Sequence, residues 1–94
     1  MRPVDHGDVS AAARALLMIP DPARPMRIAR LLREAEIADD HRRRTGRNHP
    51  VWGNGSLMSA ALRMARRDEP SFEDADYVRC WMLVFDALMT HRSR

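Results

Sequence analysis

Tyr77-Val78-Arg79-Cys80-Trp81-Met82-Leu83-Val84-Phe85-Asp86-Ala87-Leu88-Met89 is the stretch whose reading decides the fold. Val78, Trp81, Met82, Phe85, Leu88 and Met89 recur at intervals of three and four, the period of one helical face. Tyr77, Cys80, Val84 and Ala87 form a second stripe beside it. Asp76, Arg79, Leu83 and Asp86 are left for the remaining side. The pattern predicts a helix from about Phe72 to Met89, opened by Ser71-Phe72-Glu73-Asp74, a near capping box with Asp in place of the usual Glu. A helix apolar around most of its circumference is either the centre of its domain or a seam between subunits. In a chain of 94 residues the other elements are too few to cover it all, so self-association is expected. Tyr77, Cys80, Leu83 and Val84 are the expected seam on this helix.

Upstream, three more helices are legible. Residues 1–7 read as an arm. Asp8 can cap a first helix whose face carries Val9, Ala12, Ala13, Leu16 and Leu17. Pro20-Asp21-Pro22 ends it. A second helix starts between Pro22 and Pro25, because proline is tolerated in a first turn. Its apolar stripe is Ile28, Leu31, Leu32, Ala35 and Ala38. Met26 and Ile37 fall on the opposite face among arginines, which suits either ordinary exposure or a subunit contact. The helix stops before Gly46. A third begins at Ser56 or Asn54, with Leu57, Ala60, Ala61, Met64 and Ala65 inward, Arg63, Arg66 and Arg67 outward, and Asp68-Glu69-Pro70 at its end. The expected architecture is all-α: one compact domain, a bundle of about four helices.

Composition limits the function classes. All sixteen basic residues are arginine, so every positive side chain is a planar fork able to grip carboxylate or phosphate with two bonds. A GC-rich genome is the simplest cause. The net charge of +3 is mild, so attraction to nucleic acid would have to come from a local patch. The single cysteine, Cys80, cannot form an internal disulfide, and a reducing cytoplasm suits it. The start, Met1-Arg2-Pro3-Val4-Asp5, does not read as an apolar signal segment, and no run approaches the length of a membrane span. A cytoplasmic protein that does not enter the membrane is expected.

Chemistry concentrates in residues 41–56. Arg42-Arg43-Arg44 lead into the long loop 45–55, Thr45-Gly46-Arg47-Asn48-His49-Pro50-Val51-Trp52-Gly53-Asn54-Gly55. Long ordered loops in small helical domains often carry function. Guanidinium groups beside an indole suit phosphate and base contacts. They equally suit a solvated helix end, where arginine compensates the dipole and Trp52 plugs the core. The candidate nucleic-acid contacts are Arg42, Arg43, Arg44 and Arg47, with Arg63, Arg66 and Arg67 as a second row. His41 and His49 show no zinc-ligand spacing, so no metal is expected. Cys80 on an apolar helix reads as an inert small hydrophobe. The acidic pairs Asp39-Asp40, Asp68-Glu69 and Glu73-Asp74 read as caps and solvated faces. Gly53-Asn54-Gly55-Ser56 lacks the lysine, spacing and preceding strand of a phosphate loop. Neither an enzyme nor a cofactor is expected.

Two segments carry a resemblance: His6-Gly7-Asp8-Val9-Ser10-Ala11-Ala12-Ala13-Arg14-Ala15-Leu16-Leu17 and His49-Pro50-Val51-Trp52-Gly53-Asn54-Gly55-Ser56-Leu57-Met58. Together they resemble short, all-helical bacterial proteins of gene transfer agents, phage-like particles that package host DNA. Within that system the chain is similar to the small terminase subunit. The resemblance implies a noncatalytic packaging factor that assembles as a ring, engages DNA and hands it to a large terminase bearing the ATPase and nuclease. No separate helix-turn-helix domain like that of the phage proteins is expected within these residues, so the resemblance implies weak, nonspecific binding to the DNA backbone. The alternative is a small adaptor or regulator that binds a protein partner and no DNA.

Overall fold

The computed structural model describes residues 1–93. The chain folds as the expected all-α bundle of four helices: α1 His6–Leu16, α2 Arg24–Thr45, α3 Leu57–Ala61 and α4 Ala75–Arg92. One turn of 3-10 helix, Asp21–Ala23, joins α1 to α2. α1 and α2 each pack against both α3 and α4. No helix among the described residues is long and apolar enough to cross a membrane.

The first helix starts earlier than its sequence suggests. Asp5, not Asp8, is the cap, and the two close a reciprocal box: the Asp8 N–H donates to Asp5 and the Asp5 N–H donates to Asp8, at 3.1 and 3.0 Å. Asp8 is thereby freed for a second task. Its other oxygen accepts the Met58 N–H at 2.8 Å, tying the start of α1 to the start of α3. The expected arm of residues 1–7 is correspondingly short and is pinned down. The Arg2 N–H donates to the Gly55 carbonyl at 2.9 Å. Ala11, Ala12, Ala13 and Ala15 are all buried, so the neighbouring helices approach α1 closely.

α2 behaves as its pattern predicts. Ile28, Leu31, Leu32, Ala35 and Ala38 are buried, and Met26 and Ile37 are exposed on the far side. Gly46, at φ +73°, ends it in a left-handed turn and donates its N–H to the Arg42 carbonyl.

α3 is shorter than expected. After Ala61 the backbone tightens to three-residue hydrogen bonds, Arg63 to Ala60 and Met64 to Ala61. Residues 65–71 then cross toward α4 without regular structure, so Ala65 is exposed and Met64 only half-buried. The crossing is held from α1: Arg14 Nε donates to the Arg67 carbonyl at 2.8 Å.

The fourth helix brings the main correction. Its cap is Asp74, which accepts the N–H groups of Asp76 and Tyr77, while Ser71 forms a tight turn ahead of it. The core face is Tyr77, Cys80, Val84 and Leu88. Of the expected main stripe, Met82, Phe85 and Met89 face outward at 63%, 51% and 64% exposure. The two stripes are neighbours on the helix, and close packing selects between them. The alanine surface of α1 accepts a near flank, and Cys80 and Val84 present one. Tyr77 can be buried whole because its hydroxyl meets Ser10 and Glu69, each at 3.3 Å. Tyr77, Cys80 and Val84 are therefore part of the protomer's own core, and the seam expected there does not lie on them. Leu83 is half-buried.

Candidate nucleic-acid interface

The loop after α2 is ordered by its own polar groups. His49 and Gly53 exchange backbone hydrogen bonds at 2.8 and 3.1 Å. The His49 Nδ1 accepts the N–H groups of Val51 and Trp52 at 3.0 and 3.1 Å. Asn54 Oδ1 accepts from the Ser56 N–H and the Ser59 hydroxyl, both at 2.9 Å. The loop then lands on α2 at Gly55. There φ is +90°, and a Cβ would stand 2.6 Å from the Cα of Asp39, so only glycine fits. These bonds place Trp52. Its ring stacks on His49 at 4.8 Å and 12°, and His49 meets His41 edge-on at 5.2 Å.

Trp52 is half-buried and borders a cleft of about 220 Å³. Arg27, Arg30, Leu31 and Glu34 line it from α2, and Ala60, Arg63 and Met64 from the α3 side. Arg63 donates to the Val51 carbonyl at 3.0 Å, which holds its guanidinium near the loop. Arg30 pairs with Glu34 at 3.3 Å. Three guanidinium groups, one carboxylate and one indole thus line a single cleft. The arrangement can take an anion on the arginines while a flat ring rests near Trp52.

The arginine run is arranged differently. Arg42 and Arg43 both reach Asp39, at 3.0 and 3.5 Å, and Arg44 reaches Asp40 at 2.9 Å. Burial pushes the Asp39 carboxyl up, but the Arg42 hydrogen bond and the Met1 ammonium outweigh it and hold the group below its ordinary range. Much of the local positive charge is therefore answered by the helix's own carboxylates. Arg47 is exposed and has no ion pair among the described residues.

The two expected rows do not meet as one surface. Arg63 joins Arg27 and Arg30 at the cleft. Arg66 turns back to the Leu62 carbonyl at 3.5 Å, and the Arg67 backbone belongs to the crossing over α1. Arg42 lies twelve residues beyond Arg30, or about 18 Å along the helix axis. Arg27 and Arg30 are isolated letters in the sequence and form no run. Their signal is spacing: with Glu34 and His41 they fall on one side of α2. Cys80 is buried, and burial pushes its thiol up, away from reactivity. Among the described residues no three His, Cys, Asp or Glu side chains gather in a metal-holding group.

No curated protein and no solved structure matches the chain. Its helical frame and the loop that seats Trp52 fall almost wholly within residues 2–88, the span matched by one family model, and the chain belongs to that family, Domain of unknown function (DUF7742).

Proposed function

We propose that this chain is a noncatalytic DNA-packaging helper, similar to a small terminase, that self-associates in the cytoplasm, binds DNA weakly and serves a large terminase. The observation that supports it best is the placement of Arg27, Arg30 and Arg63 in one cleft with Trp52. The guanidinium groups meet backbone phosphates, and the indole offers a face to an unstacked base or a sugar. Arg47 adds an outlying contact. Arg42, Arg43 and Arg44 contribute less, because Asp39 and Asp40 already answer them.

The test is a titration of two unrelated duplexes at several salt concentrations. Affinity is expected near 10⁻⁴–10⁻⁶ M, roughly the range of nonspecific binding, falling steeply with salt as counterions are released. Arg27→Gln with Arg63→Gln should weaken both duplexes equally and reduce the salt slope by about two. An unchanged affinity and slope would remove the cleft from DNA binding. A second reading, an adaptor that binds protein and no DNA, is favoured by the exposed Met82, Phe85 and Met89. Partner binding that ignores salt, with no DNA binding, would select it.

A further inference from the structure

Met82, Phe85 and Met89 stand three and four residues apart on the outer side of α4, each more than half exposed. That spacing makes a continuous seam of the kind one helix offers another. Trp81 touches Phe85 edge-on at 5.8 Å and backs the seam on one side. Leu83 backs it on the other, where a shallow depression also takes in Arg79, Asp86 and Asp21.

The charges beside the seam say what covers it. Arg79 and Asp86 lie two turns apart, about 10 Å along the axis, and their midpoint falls between Met82 and Leu83. Asp86 has no ion pair among the described residues. Arg79 reaches only Asp76, at 3.3 Å, and Asp76 is already held by both terminal nitrogens of Arg24, at 2.8 and 3.0 Å. An antiparallel helix centred on that midpoint, with the same sequence, sets Arg79 over Asp86 and Asp86 over Arg79. A parallel copy in register would set like charge on like. The face is therefore complementary to itself under a two-fold rotation.

We infer that this face is an interface between two copies of the chain, with the two α4 helices crossing antiparallel about a two-fold axis near Met82 and Arg79 of each copy facing Asp86 of the other. This seam rests on the self-association reading and is independent of DNA binding. It replaces the buried positions Tyr77, Cys80 and Val84 with the outward stripe next to them. An isologous contact of this kind closes on itself, so it yields a dimer and not an open chain of subunits.

Sedimentation equilibrium with charge exchange tests it. The native protein should show a concentration-dependent dimer mass. Arg79→Glu alone, or Asp86→Arg alone, sets like charges together at both ends of the seam and should weaken the dimer by about tenfold or more. The double variant exchanges the charges and should return to within about threefold of native. Because all these side chains are exposed, circular dichroism should report unchanged helix in each. A short bismaleimide linker gives a second reading that does not depend on charge. Met82→Cys should yield covalent dimers, whereas Ala75→Cys, whose two copies would lie about 22 Å apart along the axis, should not. The buried Cys80 stays unreactive in both. A native protein that is monomeric at millimolar concentration defeats self-association and the seam together. A dimer that the double exchange does not restore, or that cross-links through Ala75→Cys and not Met82→Cys, defeats the seam alone. A ring-sized mass with no dimer defeats the two-fold.

Discussion

At the first turn of α2, Arg24 is 5% exposed, and all three guanidinium nitrogens are engaged. Its Nε donates to the carbonyls of Leu16 and Ile19, both at 2.9 Å, and its terminal nitrogens grip the two oxygens of Asp76 at 2.8 and 3.0 Å. At the last turn of the same helix, Arg43 and Arg44 are 63% and 65% exposed, and each has one carboxylate from its own helix. The side chains are chemically identical; what separates them is water. Arg24 supplies partners to carbonyls at the end of α1 that no N–H of that helix can reach, and binds that end to the start of α4. The exposed pairs exchange hydration for a contact of nearly equal strength. A run of arginines is conspicuous in a sequence because it is solvated; the arginine that joins three elements is a single letter between Ala23 and Pro25.

The sharpest way to break this comparison is Arg24→Met. Methionine keeps the stem and removes every donor. The Ile19 carbonyl is left without its donor, the Leu16 carbonyl keeps only the Ile19 N–H, and Asp76 loses its main counter-charge, so stability should fall by about 3 kcal/mol. Urea denaturation measures it. A loss below about 1 kcal/mol would mean that water replaces the guanidinium without penalty, and the corner would be no different from the exposed run.

A smaller effect follows from pH. Arg24's hydrogen bond holds the Asp76 carboxyl below its ordinary range, against the opposing push of burial. The folded-state value is depressed, so this contribution is complete above the ordinary carboxylate range and is lost as pH falls through the folded value. Stability should therefore decline below about pH 4. Arg24→Met should flatten that decline and Arg44→Gln should not. Glu36 is held low by the Met1 ammonium and His91, and Asp39 is also low, so the slope shrinks without vanishing. Equal acid limbs in the native protein and Arg24→Met would show that the corner is not coupled to Asp76.

These contrasts also mark what was legible in the sequence. Helix number, the apolar stripe of α2 and its stop at Gly46 follow from period and backbone chemistry, and both survive folding. The choice of face on α4 does not. Val78, Trp81 and Phe85 outweigh Tyr77, Cys80 and Val84 in size, so the larger stripe reads as core. The alanines of α1 leave room only for the slimmer flank, a fact carried by another helix. The same is true of the site. Trp52 stands out alone, but it shares a cleft with Arg27, Arg30 and Arg63 because Gly55 lets the loop rest against Asp39. The caps lie at Asp5 and Asp74, three residues from the Asp8 and Ser71 that the pattern suggests, because nearby Asp and Ser side chains compete and tertiary contacts decide among them.

The finest test of the comparison is at its weak end. Arg44 pairs with Asp40 one turn back, and the two side chains are 65% and 59% exposed. An exposed pair at this spacing contributes about 0.3–0.5 kcal/mol, and a cation in the last turn adds a similar amount through the helix dipole. Arg44→Gln keeps the first three carbons of the stem and a polar, donor-bearing end, and removes the charge. It should lower stability by about 0.6–1 kcal/mol, and the difference should vanish in about 1 M salt, where exposed charges are screened within about 3 Å. Arg24→Met should keep much of its deficit in the same salt, because part of that loss comes from the Ile19 carbonyl, left without its donor. Urea curves for the two variants at low and high salt separate the cases. A salt-resistant loss above about 1 kcal/mol in Arg44→Gln would mean that the run is built into the fold as Arg24 is.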